Sequence, residues 1–167
     1  TADGKWYCFN DQTVDRMTNG TGNFMSKTSA QIDALRLDAG NGIAGLPDAF
    51  KKIPTFDQYL DECMKARKVP VIEITPLKTD FTSAQLDSIV TTIRNQGLEN
   101  KVVIICFTLD VLKQMRLRMP YTVMHYLVEN DSTATYEACL EYNLVPSFSN
   151  TGNSLTAAVV NKYHAVI

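Results

Sequence analysis

The sequence holds no Cys-x-x-Cys pair, no run of like charge and no apolar stretch near the roughly 18 residues a membrane span needs. Each absence removes a class of function. The four cysteines, Cys8, Cys63, Cys106 and Cys139, stand far apart, so zinc and redox motifs are not expected. Cys8 and Cys106 lie in apolar runs, where a thiol acts as a small buried hydrophobe. Four reduced thiols point to a cytoplasmic or virion setting rather than a disulfide-rich secreted one. With 16 basic against 18 acidic residues the net charge is −2, and no basic stripe of the kind that binds nucleic acid is present. The longest apolar run, Val102–Phe107, is the length of a strand. No signal peptide is visible. The chain opens without Met at Thr1 and stops at Ile167 inside an apolar run, so both ends are expected to lie within a longer protein.

What is present is an alternation of β-rich runs and amphipathic stretches in a chain that is 45% hydrophobic, enough for one domain with a core. Lys5–Phe9 reads as a strand after an Asp-Gly turn, and a polar, Gly- and Asn-rich loop follows to Lys27. Thr28 or Ser29 can cap a short helix through about Leu37. Thr55 precedes the helical run Phe56–Arg67, in which Phe56, Tyr59, Leu60 and Cys63 recur at helical spacing. Then come the strand Val69–Thr75, a helix capped by Ser83 through Gln96, the strand Lys101–Phe107, the helix Leu109–Arg118 and the strand Tyr121–Val128. The helix Thr133–Tyr142, the strand Leu144–Ser147, the helix Leu155–Tyr163 and the start of a strand at Ala165–Ile167 complete the pattern. Strands that are apolar throughout and separated by helices imply a parallel sheet buried on both faces. A doubly wound sheet and a (β/α)8 barrel both fit, the latter normally with eight strands and about 250 residues. Periodicity does not choose between them.

The segment Thr1–Gly22, TADGKWYCFNDQTVDRMTNGTG, resembles the signature of glycerophosphodiester phosphodiesterases. In that family an Asp-Gly turn leads into an apolar strand, then His-Asp, a spacer and an Asp-Arg-x-Thr-Asn-Gly-Thr-Gly run. Asp15, Arg16, Thr18, Asn19, Gly20, Thr21 and Gly22 match the run in order. Ile53-Pro54-Thr55-Phe56, the strand around Glu73 and the Val103–Met115 segment agree in order and spacing too. The resemblance implies a (β/α)8 TIM barrel of the phospholipase-C-like phosphodiesterase type. It implies one domain over residues 1–167 with about six strands, lacking the first and last.

The same resemblance implies a chemistry. Phosphodiester cleavage needs a base and an acid, two histidines in that family, and a divalent cation such as Ca2+ or Mg2+ held by carboxylates. The second histidine falls at Asn10, and an amide does not exchange protons near neutral pH. Glu73 falls at a metal carboxylate and Thr75 at a phosphate-contacting lysine, for which Lys78 is the candidate replacement. Asn10, Thr75 and Phe107 are the implied substrate contacts. The expectation is a degenerate phosphoric diester hydrolase that binds phosphoglycerol or a teichoic-acid-like glycerophosphate polymer, as part of a larger chain or assembly such as a phage tail. The alternative is an active metal-dependent hydrolase that releases glycerol 3-phosphate and an alcohol.

Each residue also has a plainer reading. Asn10 can be a turn residue, and Glu73 half of a buried salt bridge. Asp15, Arg16 and Asn19 read chiefly as loop scaffolding, with Arg16 on a nearby carboxylate. His125 and His164 read as satisfied structural histidines, and Phe107 as packing or a pocket floor. Trp6 and Tyr7 read as core. Lys65, Arg67 and Lys68 form a solvated helix end.

Overall fold

The structure is a computed structural model that describes residues 1–75, 81–129, 132–148 and 157–166. It divides into two compact units, Thr1–Arg67 and Lys68–Ile167.

The first unit holds two helices, α1 (Ser29–Ala34) and α2 (Phe56–Lys65), with two short 3-10 turns between them at Ile43–Gly45 and Asp48–Phe50. Both helices start at a capping box. Thr28 and Thr55 accept the backbone N–H of Gln31 and Gln58, whose side chains bond back to the caps. Two orphan donors are satisfied at each helix start. The helix begun at Thr28 ends at Ala34 rather than near Leu37. The core is Val14, Phe24, Ile32 and Ile53, with Tyr7, Phe9, Leu35 and Leu37 packed against it. Phe9 stacks on Phe24 at 4.9 Å and Tyr7 meets Phe24 edge-on at 6.1 Å. Trp6 is half-buried.

Lys5–Phe9 is not a strand. Tyr7 forms one isolated antiparallel bridge to Thr55, flanked by bonds from Cys8 N to Pro54 O and from Phe56 N to Trp6 O. Pro54 has no N–H with which to extend the ladder, and helix α2 begins immediately after Thr55, so the pairing stops there.

The second unit carries a parallel sheet in sequential order, β1 (Val71–Glu73), β2 (Val103–Cys106), β3 (Val123–Val128) and β4 (Val145–Phe148). Helices α3 (Ser83–Asn95), α4 (Leu109–Arg118), α5 (Thr133–Glu141) and α6 (Ala157–Val166) follow the strands in turn. Sequential parallel strands joined by helices are the repeat of a (β/α)8 barrel, of which four strands are described instead of the six expected. The cap of α3 is Thr82, not Ser83, again with a capping box to Gln85. Ala165 and Val166 belong to α6 and do not begin a strand. Ile167 and the candidate Lys78 lie outside the described residues.

One face of the sheet is buried: Ile72, Ile104, Cys106 and Met124 alternate with exposed or half-buried neighbours. Helix α4 packs on β2 and β3 with Val111, Leu112 and Met115, and α3 contributes Leu86, Ile89, Val90 and Ile93. Each such side chain contributes about 1.5–3 kcal/mol when fully buried. Three helices end in a left-handed residue, Arg67 (φ 53), Gly97 (φ 67) and Asn143 (φ 50). After α3 and α5, Leu98 N and Leu144 N bond to Ile93 O and Cys139 O. This helix-ending turn drops a buried leucine in front of the next strand.

Candidate functional site

Asn10 is exposed at the end of the Tyr7 bridge segment. Next to it Arg16 grips the carboxylate of Asp11 in a fork, with Nε to Oδ2 at 2.7 Å and Nη2 to Oδ1 at 2.8 Å. The Arg16 hydrogen bonds, chiefly, hold the Asp11 carboxyl below its ordinary range. Residue 10 therefore presents an exposed amide beside an ion pair.

The Asp15–Gly22 run closes on itself. Asp15 accepts the N–H of Gly22 at 2.8 Å. Buried Thr18 donates its hydroxyl to Val14 O at 2.8 Å and accepts the N–H of Gly20 at 3.1 Å. Asn19 accepts the N–H of Arg36 through its side chain and donates its own N–H to Arg36 O. Gly20 faces Leu35 so closely that a Cβ there would meet its Cδ2, and Gly22 sits at φ +94 where side chains are strained. Scaffolding is what these residues do, and Arg16 has the carboxylate partner expected of it.

In the second unit Glu73 ends β1 and is exposed, so the buried salt bridge is overturned: with Val71 it lies on the exposed face of the strand, while Ile72 and Ile74 on the other face are buried. Thr75 donates its hydroxyl to Glu73 Oε1 at 3.0 Å. The threonine at the lysine position thus orients the carboxylate. Phe107 is 48% exposed just past β2. Next to it Cys106 does more than pack. Its thiol donates to Ile74 O at 2.9 Å and its sulfur accepts the N–H of Thr108 at 3.3 Å, tying the exit of β1 to the β2–α4 turn.

His125 lies on β3 with Nδ1 at 2.8 Å from Ser147 Oγ of β4. It is satisfied, as expected, but through a partner that the sequence did not signal. His164 lies in α6 and is exposed. Lys65, Arg67 and Lys68 are exposed as expected.

The fit to a divalent cation was tested on the donors. Among the described residues no three His, Cys, Asp or Glu side chains come together as a cation site. Glu73 is a single carboxylate with a hydroxyl on one oxygen, whereas calcium or magnesium takes about six oxygen ligands. These residues do not by themselves fit the ion. Among the described residues no helix is long and apolar enough to cross a membrane.

The sequence model of the glycerophosphoryl diester phosphodiesterase family matches residues 1–165. No curated protein sequence matches the chain. Among solved structures, one named as a glycerophosphoryl diester phosphodiesterase of Agrobacterium tumefaciens superposes with a TM-score of 0.79 at 15% identity, over 99% of this chain and 66% of that one. A glycerophosphodiester phosphodiesterase of the same organism gives 0.62 at 20% identity, over 99% and 76%. An Oleispira antarctica phosphodiesterase, solved in complex with the product sn-glycerol-3-phosphate, gives 0.76 at 16% identity, over 99% and 65%. The chain thus spans about two thirds of their length, and at these identities the likeness is one of fold.

Proposed function

Because the chain belongs to the glycerophosphoryl diester phosphodiesterase family, we propose that it is a phosphoglycerol-binding member in which turnover is lost. The observation that carries this reading is residue 10. Proton transfer requires a group that gains and loses a proton near operating pH, and Asn10 offers an amide, which does neither. Thr75 adds to the case: a hydroxyl turned onto Glu73 brings no positive charge to a phosphate.

The family is generally dependent on a divalent metal, and Glu73 is the residue proposed here as one ligand of Ca2+ or Mg2+. The remaining ligands would have to come from outside the described residues, and no step is derived through the ion. The proposed ligand is a glycerophosphodiester or a glycerophosphate polymer such as teichoic acid.

The test is hydrolysis of simple glycerophosphodiesters by the natural full-length protein with calcium or magnesium, beside Asn10→His. The expected result is no turnover by the natural protein and measurable turnover by the variant, since a positioned acid or base contributes about 10²–10⁴-fold. Turnover by the natural protein at a rate the variant does not improve would overturn the reading in favour of an active hydrolase.

A further inference from the structure

The sheet of the second unit has a polar corner of which the family resemblance assigns Glu73 and Thr75 but not His125 and Ser147. Its register pairs Glu73 with Ile105, Ile105 with His125, and His125 with Val145. Paired residues of neighbouring parallel strands point to the same face, so Glu73 and His125 share one row on one face. All four residues of that row are exposed or half-buried, while Ile72, Ile104 and Met124 between the rows are buried on the opposite face. Ser147 stands two residues beyond Val145 on the same face, within hydrogen-bond distance of His125. Thr75 stands two beyond Glu73 and bonds it. The face thus carries two hydrogen-bonded pairs, Glu73–Thr75 and His125–Ser147, two strands or about 10 Å apart along the row.

The two pairs differ in what they can bind. The Glu73 carboxylate accepts hydrogen bonds from hydroxyl groups, and the cation proposed above as its partner takes hydroxyl oxygens too, so this end suits the glycerol part of a ligand. The imidazole end is different. A serine hydroxyl can donate to Nδ1 or accept from it, so Ser147 satisfies this nitrogen in every protonation state of the ring. A ring with Nδ1 accepting from serine carries its proton on Nε2, and a protonated ring carries one there as well. In these two states Nε2–H is available as a donor to an anion, whereas the neutral tautomer that donates Nδ1–H to Ser147 has no proton there.

We propose that His125, held by Ser147, is the phosphate contact of this face, and that Glu73 and Thr75 take the hydroxyl groups of the same ligand. This deepens the phosphoglycerol reading and rests on it. It also gives the ligand a direction: its phosphate lies toward β3 and β4, and its glycerol toward β1. The lysine that residue 75 lacks is replaced by a donor on another strand.

The experiment measures binding of sn-glycerol 3-phosphate, inorganic phosphate and glycerol to the natural full-length protein by calorimetry. In parallel, the His125 ring resonances are followed by NMR and identified by their absence in His125→Gln. The expected result is a shift of the His125 ring on adding either phosphate. His125→Ala should weaken glycerol 3-phosphate by about tenfold or more, the scale of one charge-assisted hydrogen bond, with Gln recovering part of it. Glu73→Gln should weaken glycerol 3-phosphate more than inorganic phosphate. If glycerol 3-phosphate binds but neither moves the His125 ring nor loses affinity in His125→Ala, the proposal is overturned and the phosphoglycerol reading stands. If the natural protein binds neither phosphate, both fall together. The ring shift in the unmutated protein decides the matter even where a variant fails to fold.

Discussion

Arg116 offers the sharpest test of how the second unit holds together. Its guanidinium donates to five backbone carbonyls: Tyr142 O at 3.0 Å through Nε, Met119 O, Pro120 O and Thr122 O at 3.3, 2.9 and 2.8 Å through Nη1, and Asn143 O at 2.8 Å through Nη2. These carbonyls sit on the segments that lead into β3 and β4, so one side chain on α4 fixes where two strands begin. Burial pushes its pKa down. Truncation to alanine leaves the carbonyls of Met119, Thr122 and Tyr142 part-buried and short of a donor, while those of Pro120 and Asn143 are exposed and can turn to water. A hydrogen bond to a charged group is worth about 1.5–3 kcal/mol. Two good part-buried bonds and one long one therefore put the cost of Arg116→Ala near 3–5 kcal/mol. Lysine keeps the charge but not the fork, so Arg116→Lys should cost about 2 kcal/mol through the lost bonds. Urea unfolding followed by far-UV circular dichroism measures both, because the single tryptophan, Trp6, reports on the first unit. With a slope of about 2 kcal/mol/M, the alanine variant should lose roughly 2 M in midpoint. A loss below about 1 kcal/mol for alanine, or a lysine variant as stable as the parent, would refute the reasoning.

Two further outcomes follow from the first unit and its exit. Hydrogen bonds from Ser29, first of all, hold the Asp3 carboxyl far below its ordinary value, and the Arg16 fork does the same for Asp11. Carboxyls depressed on folding stabilise above their unfolded pKa and lose that contribution as pH falls through the folded one. The fluorescence midpoint should therefore drop below the ordinary aspartate value of 3.8, and Asp3→Asn should flatten that slope; an unchanged slope would count against it. Arg67 adopts φ 53 at the end of α2, a conformation that costs a side chain about 1–2 kcal/mol. Glycine relieves this but frees the unfolded chain, leaving a net gain of about 0.5–1 kcal/mol for Arg67→Gly. A thermal melt that shifts downward would contradict it.

Much of this was legible in the sequence, and the exceptions have physical causes. The strands β1 to β3 and their helices follow from continuous apolar runs alternating with amphipathic stretches, since a buried parallel strand and a surface helix each carry a local signature. Lys5–Phe9 misled because its side chains favour a strand, while the fate of the pairing is set by Pro54 on the opposite segment. Ala165–Ile167 misled because a short β-branched run cannot be told from a helix end by periodicity, and nothing between Ala157 and Val166 stops the helix. At the site, Asn10, Glu73 and Thr75 were visible through the resemblance, and the Arg16 partner was expected. The exposure of Glu73 was not, because it depends on which face of the sheet is covered. The His125–Ser147 pair was out of reach for a different reason: it exists only in one register of two strands 22 residues apart.

The self-closing loop from Asp15 to Gly22 has a consequence for how such sequences are sorted. Its polar groups bond one another and the neighbouring Val14 and Arg36, so its shape is held by contacts that do not involve the side chain of residue 10. Change the neighbouring residue from a proton carrier to an amide and the loop keeps its shape, its glycines and its match. Recognition by that run therefore tracks the scaffold, and an enzyme and its silent relative pass it equally.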